Sequence, residues 1–413
     1  MRLARPRRQT GSELVNSSSQ KTIGLGICGL GRAFTLMLPT FVGDSRFQLV
    51  AATTPNPDTR GIFSKDFDAP SYPDLTSLCA DPNVDAVYIA SPHEFHCEHV
   101  EIAARAGKHI LVEKPLAISL KEASAIVDVV RECGVHLIVG PSHSFDAPVL
   151  QAREMIASKE FGTLGMIQAM YYTDFLYRPR RPEELDTSRG GGVVFSQAAH
   201  QVDIVRLLGG GLVKSVRAHT GNWDSTRSTE GAYNAQLVFE GGSFASLTYS
   251  GCAHFDGDEL VGSIGELGRK KDSGQYGNAR RALVGDIDAQ LESEKKRARN
   301  YGLAGNADDF AKTPSVDTHE HFGLIIASCQ RADLKLMPDG ITVYGDLERR
   351  HINLPAPAIP RVEVMDELFA SVMNGKPPLH SAAWGLATLE ACIAILTSAK
   401  ENREVELEFQ VVV

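Results

Sequence analysis

Gly26-Ile27-Cys28-Gly29-Leu30-Gly31-Arg32 spaces its glycines as a turn that joins a strand to a helix and binds a pyrophosphate. Gly29 would permit the tight turn, and Gly31 would let the backbone approach phosphates at the amino end of the next helix. Arg32, Ala33 and Phe34 open that helix, and Phe34 stands where the third glycine of the pattern would be. Close packing of helix on strand must therefore be achieved differently. In NAD-preferring domains an acidic residue ends the second strand and binds the ribose hydroxyls; here the position falls at Thr54, with Arg60 shortly after. With no carboxylate to repel a 2′-phosphate, NAD and NADP both stay open.

Two more runs fall at the ends of strands. Ser91-Pro92-His93-Glu94-Phe95-His96 follows one, and Glu113-Lys114-Pro115 follows the next. Open α/β sheets bind ligands at that edge. Ser91, Pro92, His93, His96, Glu113 and Lys114 are thus candidate cofactor contacts, with the Lys114 ammonium beside the nicotinamide. A third run, Tyr171 to Pro182, mixes aromatic rings with Arg178, Arg180 and Arg181. Arginine forks bind carboxylates and aromatic faces suit a flat ring, so an anionic cyclic substrate would fit.

Repeated βαβ units would position these groups. From Thr22, short β-branched runs (22–28, 47–53, 85–90, 109–112, 135–139) alternate with amphipathic stretches (33–41, 95–106, 120–133), which predicts a parallel sheet. After Gly140 a helix over 147–158 leads into strands near 165–175, 213–223, 232–239 and 243–250. No crossover helices separate these strands, so a largely antiparallel sheet is expected. Helices are expected over 196–208, 362–374 and 382–402. The fold class is α/β: a Rossmann dinucleotide-binding domain over 21–145, then an α+β substrate and oligomerisation domain over 146–413 with a large, mostly antiparallel open sheet. The charged stretch 268–318 reads as a solvated helical insertion.

Composition narrows the partners. A 413-residue chain that is 43% hydrophobic and 23% charged affords two cores. No apolar run stands out as a bilayer span, so no membrane association is expected. A net charge of −9 argues against nucleic acid. Seven scattered cysteines without a CxxC pair read as reduced thiols of a cytoplasmic protein. Residues 1–20 read as a disordered tail, with a basic organelle-targeting leader as the alternative.

From Thr22 onward the chain resembles the glucose-fructose oxidoreductase and inositol dehydrogenase (Gfo/Idh/MocA) family of two-domain NAD(P)-dependent dehydrogenases. The Gly-rich turn, Glu113-Lys114-Pro115, Gly190-Gly191-Gly192 with His200 and Asp203, and a closing helix over 387–405 carry the resemblance. It implies that Lys114 and His200 are catalytic, that a histidine at His96 belongs to the cofactor edge, and that the protein is a homodimer or homotetramer. The chemistry agrees: a histidine can take the hydroxyl proton as hydride leaves carbon, and a lysine steadies the developing alkoxide. One departure is Ser196, followed by Gln197, where the family has an aspartate. Either these two side chains meet the substrate, or Asp203 or Asp174 supplies the polar support.

The Arg178–Asp186 run and His319-Glu320-His321-Phe322-Gly323 are similar to a subgroup that oxidises phthalate-type, carboxylated cis-dihydrodiols to catechols. That similarity adds Arg178 and Arg180 as substrate contacts. The alternatives are a sugar or inositol dehydrogenase of the same family and a non-catalytic dinucleotide-sensing regulator. His319 and His321 lack a third ligand at recognisable spacing, so no metal is expected.

Overall fold

The computed structural model describes residues 22–284, 288–307, 309 and 316–413. The expected amino-terminal tail lies outside the described residues.

The first half builds the anticipated βαβ series: β1 (Ile23–Cys28), α1 (Arg32–Gly43), β2 (Phe47–Thr53), α2 (Pro57–Phe67), β3 (Ser71–Tyr72), α3 (Leu75–Cys79), β4 (Ala86–Ile89), α4 (His96–Arg105), β5 (His109–Val112), α5 (Leu120–Cys133) and β6 (Leu137–Val139). All six strands are parallel, in the order β3-β2-β1-β4-β5-β6. β1 and β4 are buried along their whole length, which is why they read as continuous apolar runs. The chain reverses direction across the sheet between β1 and β4, so a crevice opens at their carboxyl ends. α2, β3 and α3 were not anticipated. α2 has little apolar periodicity and buries only Phe63, and β3 is two residues long.

The second half contains α6 (Ala147–Ala157), β7 (Leu164–Tyr172), α7 (Ala199–Gly209), β8 (Val213–Gly221), β9 (Ala232–Phe239), β10 (Phe244–Ser250), α8 (Asn278–Arg281), α9 (Ala289–Arg297), β11 (Leu324–Cys329), β12 (Ala332–Met337), β13 (Gly340–Gly345), β14 (Arg349–Asn353), α10 (Val362–Asn374), α11 (Ala382–Glu401) and β15 (Val405–Glu406). Its nine strands run β14-β13-β12-β11-β7-β10-β9-β8-β15, antiparallel except where β10 meets β7. β11 to β14 extend the sheet beyond the four strands expected. One face packs on α6, α7 and α11 through residues such as Ile167, Leu247, Val202 and Ile395.

Helices from the second half also complete the layers of the first sheet. Val364, Met365 and Leu368 of α10 join the core on the α1 side, and Leu386 and Leu389 of α11 join the core on the α5 side. By length and composition α11 could cross a membrane, contrary to the reading that no such run exists. Its apolarity has a local cause, since 72% of its most apolar window is buried between the two halves.

Candidate active site

At the end of β1, Gly29 adopts φ 102°, and a Cβ there would lie 2.7 Å from the Ala90 carbonyl oxygen. The turn therefore has to be glycine for the β1 and β4 ends to meet. Gly31 is different: a Cβ there would meet no atom of the protein within 4 Å. It caps α1, whose first turn holds no acidic residue. Free backbone N–H groups beside space that a side chain would fill suit a pyrophosphate. The residues present fit a nicotinamide dinucleotide.

Arg32 and Ala33 begin α1 as expected. The Phe34 side chain instead points into the core, edge-on to Tyr301 at 5.2 Å between centroids and near Phe41 and Phe63, so only its backbone borders the crevice. These rings fill the space that a third glycine would leave. Thr54 follows β2, and Arg60 donates to its carbonyl oxygen at 2.6 Å and to that of Pro55 at 3.1 Å. Ser91 and Pro92 border the crevice, with the Ser91 hydroxyl 2.8 Å from His99 Nδ1. His96 is fully buried, and its ring nitrogens face the carbonyl oxygens of Pro115 (2.9 Å) and Ser91 (3.1 Å). It thus clamps the two strand-end turns together, a structural part beside the cofactor contacts expected of its neighbours. Burial, then His96 and Lys114, pushes the His93 imidazole down to about 3, so it is neutral.

Lys114 leaves β5 and crosses to the second half, where Nζ donates to the Ser196 carbonyl oxygen at 2.8 Å. That carbonyl belongs to a π-helical turn, Val194–Ala198, which runs into α7. Such turns leave carbonyls without the usual helix partner and recur at functional sites. Glu113 accepts from Tyr88 at 2.6 Å. Burial lowers the Lys114 pKa, with Glu113 and Glu266 acting in the opposite direction.

His200, on the first turn of α7, is 7% exposed and packs between His143 (4.8 Å) and Phe322 (4.9 Å). Its Nδ1 finds no hydrogen-bond partner among the described residues. Burial, then the charges of Lys114, His143 and Arg361, hold this imidazole well below its ordinary pKa. His143 behaves oppositely. Burial opposes its charge, but Asp146 at 2.8 Å and Glu266 at 3.6 Å win and raise it to about 10.

The substrate-side residues divide. Arg178 reaches Asp174 at 3.3 Å and Glu266 at 3.6 Å. Arg180 stacks on Phe175 at 3.5 Å and donates to its carbonyl oxygen at 2.9 Å, while its buried Nε has no partner among the described residues. The Ser196 hydroxyl turns back to the Gly192 carbonyl, and Gln197 accepts from Tyr249 at 3.2 Å. Asp203 does not reach the site. It takes hydrogen bonds from Ser144, Trp384 and Thr388 in the core between α7 and α11. Asp174 holds Arg178.

A further, partly buried carboxylate, Glu266, lies on the loop after β10, near His143 and Arg178. Burial opposes its charge, yet His143, Arg178 and Lys114 hold its pKa well below the usual range. Arg361, at the start of α10, shares its Nε–H between the two oxygens of Glu320 at 2.9 and 3.0 Å. No local motif marks His143, Glu266 or Arg361; the topology alone brings His143 and Arg361 to His200, and Glu266 to His143. His143, Asp146 and Glu320 place possible metal-ligand atoms within 4.8 Å of one another. Those atoms are already engaged, His143 with Asp146 and Glu320 with Arg361. His321 bonds the Ile264 carbonyl at 2.9 Å and Gly323 N at 3.0 Å, a role in holding its loop.

A doubly wound nucleotide-binding sheet, joined through Lys114 to a pocket on an open mixed sheet, defines a two-domain nicotinamide-dependent oxidoreductase. The model of the oxidoreductase family with an NAD-binding Rossmann fold (GFO/IDH/MocA) matches residues 23–141, and that of the GFO/IDH/MocA C-terminal domain matches 149–268. The chain is 45% identical over 377 residues to 1-carboxy-3-chloro-3,4-dihydroxycyclohexa-1,5-diene dehydrogenase of Comamonas testosteroni, covering 91% of this chain and 94% of the relative. It is 35% identical to scyllo-inositol 2-dehydrogenase (NAD(+)) of Bacillus subtilis, over 81% of each chain. A solved structure described as a dehydrogenase of Bordetella bronchiseptica RB50 superposes with a TM-score of 0.87 at 40% identity, covering 94% of this chain and all of that one. The chain belongs to the GFO/IDH/MocA family and is an NAD(P)-dependent dehydrogenase acting on a small molecule.

Proposed function

We propose that this dehydrogenase oxidises a cis-dihydrodiol on a ring that carries a carboxylate, yielding the catechol. The observation that carries the proposal is His200: a buried imidazole, held neutral and without a carboxylate partner among the described residues, near Lys114 and an arginine-rich rim. Glycines 29 and 31, Arg32, Ala33, the Phe34 backbone, Thr54, Ser91, Pro92, His93 and Glu113 line the cofactor crevice, and NAD or NADP bound there supplies the hydride acceptor. Arg178 and the unpartnered Nε of Arg180 receive the substrate carboxylate. His200 takes the hydroxyl proton as the C–H bond is lost, and Lys114 stabilises the negative charge on that oxygen. The Ser196 carbonyl aims Lys114, and Gln197 borders the pocket. The resulting ketone loses its neighbouring ring proton and tautomerises, so regained aromaticity draws the oxidation forward. The name of the Comamonas relative, a carboxylated and chlorinated cyclohexadiene diol dehydrogenase, supports this substrate class.

Residues 21–145 would bind the cofactor, and 146–413 the substrate. The outer face of the nine-stranded sheet would join subunits into a homodimer or homotetramer. Seven unpaired cysteines support a reducing, cytoplasmic compartment. The test is to present NAD and NADP with carboxylated cis-dihydrodiols, their uncharged analogues, sugars and inositols, and to follow reduced nicotinamide. Turnover is expected with the carboxylated diols. Protein that binds cofactor but reduces none with any of them would overturn the proposal, and turnover of inositols alone would place it among cyclitol dehydrogenases.

A further inference from the structure

The charged stretch after Gly268 is not simply a solvated insertion, because two of its side chains lie in the interior. Glu292 of α9 is buried, pairs with Arg227 at 3.0 Å through both oxygens, and accepts the Arg180 backbone N–H at 2.8 Å. Tyr301 is fully buried against Phe34, and its hydroxyl donates to Asp66 at 2.5 Å. Between them Lys296 pairs with Glu184. Asp66 also accepts from Ala307 N at 2.9 Å. Residues 289–307 therefore form a strap. One end is fixed to the arginine-rich loop of the substrate side, and the other to α1 and α2 of the nucleotide-binding sheet.

The strap passes the first turn of α1, where the Thr35 hydroxyl lies 3.5 Å from the Arg299 carbonyl oxygen and 3.0 Å from that of Gly31. This brings Arg299 beside Arg32. Burial and then the positive charges of Arg299 and Arg361 lower the Arg32 pKa, a sign of like charges held together. Both residues keep part of their surface in solvent, and among the described residues neither has a carboxylate partner. They crowd a helix N-terminus that is itself partly positive, next to the open space at Gly31. An anion at that point would relieve the repulsion.

We infer that Arg299 is a phosphate ligand of the bound dinucleotide, and that the strap carries it across the cofactor crevice as a clamp. The same guanidinium chemistry could meet the pyrophosphate or an adenosine 2′-phosphate. The two are separated by comparing NADH with NADPH. This inference rests on the cofactor site and is independent of the substrate.

The experiment measures NADH and NADPH dissociation constants by nucleotide fluorescence and release rates by stopped flow, for wild-type protein, Arg299→Gln and Arg297→Gln. Arg299→Gln should weaken binding about tenfold to a hundredfold, the range for a lost charge-assisted hydrogen bond. Equal loss for both nucleotides assigns the pyrophosphate, and loss confined to NADPH assigns the 2′-phosphate. Arg297→Gln, on the exposed last turn of α9, should stay within about twofold. Nucleotide should also slow tryptic cleavage after Arg297 and Arg299 in the wild type. Unchanged affinity and release for Arg299→Gln, an equal loss for Arg297→Gln, or cleavage indifferent to nucleotide would each overturn the assignment.

Discussion

A buried histidine nitrogen without a partner carries a desolvation cost that folded proteins usually avoid. His200 keeps such an atom at Nδ1, and the groups around it hold the ring neutral. The neutral state suits a base that accepts a proton only when a substrate hydroxyl arrives. His200→Ala and Lys114→Ala should each lower kcat by about two orders of magnitude or more. Dinucleotide affinity should stay nearly unchanged for His200→Ala. Wild-type turnover in either variant, measured by nicotinamide reduction, would exclude the assigned role. Both residues were legible in the sequence because each sits in a motif. Glu266, His143 and Arg361 were not, since each is a lone residue on a loop or helix start, and only tertiary structure brings them together. The sequence did show that the family aspartate is absent at Ser196. It did not show that a carboxylate from far along the chain would stand near His143, Arg178 and Lys114.

At the scale of elements, the glycine turn separates folding from binding. Gly29 needs its positive φ and its close approach to Ala90, so Gly29→Ala should cost about 1–3 kcal/mol of stability. Gly31 is not held to glycine by any contact within the protein. Gly31→Ala should leave the melting temperature nearly unchanged while weakening NADH binding about tenfold or more. Thermal denaturation and a fluorescence titration, run side by side, check both. If Gly31→Ala unfolds as readily as Gly29→Ala, the space beside Gly31 is structural. Five of the six parallel strands were legible to within two residues at each end, because burial on both faces writes most of them as apolar runs; the two-residue β3 was not. β11 to β14 were harder to see. The Gln330–Arg331 turn between β11 and β12 has none of the Gly, Asn or Asp that mark a tight hairpin. Charge in 268–318 hid the strap, because its burial depends on partners such as Arg227 and Asp66 that are distant in sequence.

At the scale of the whole molecule, the nine-stranded sheet buries one face under helices and leaves the other to solvent or a partner. The alternation along β7, β10, β9 and β11 places Met166, Met170, Phe244, Val238, Leu324 and Ile326 on the outer side. Phe244 and Val238 are paired across β10 and β9 and are 42% and 38% exposed. Gln168, Ser246 and Gln236 lie between the Val238–Phe244–Met166 row and the Met170–Leu324 row, and exposed apolar rows of this kind on a sheet face are a usual mark of an interface. A second copy meeting this face about a two-fold axis would present the same patch from both sides, so one added charge is introduced twice into the interface. Phe244→Glu combined with Ile326→Glu should therefore shift sedimentation from a dimer or tetramer to a monomer at micromolar concentration, with the circular dichroism spectrum retained. Dinucleotide affinity should also be retained, because the crevice at Gly31 lies on the other sheet. A wild-type protein that sediments as a monomer, or a double variant that stays assembled, would show that this face is not the subunit contact.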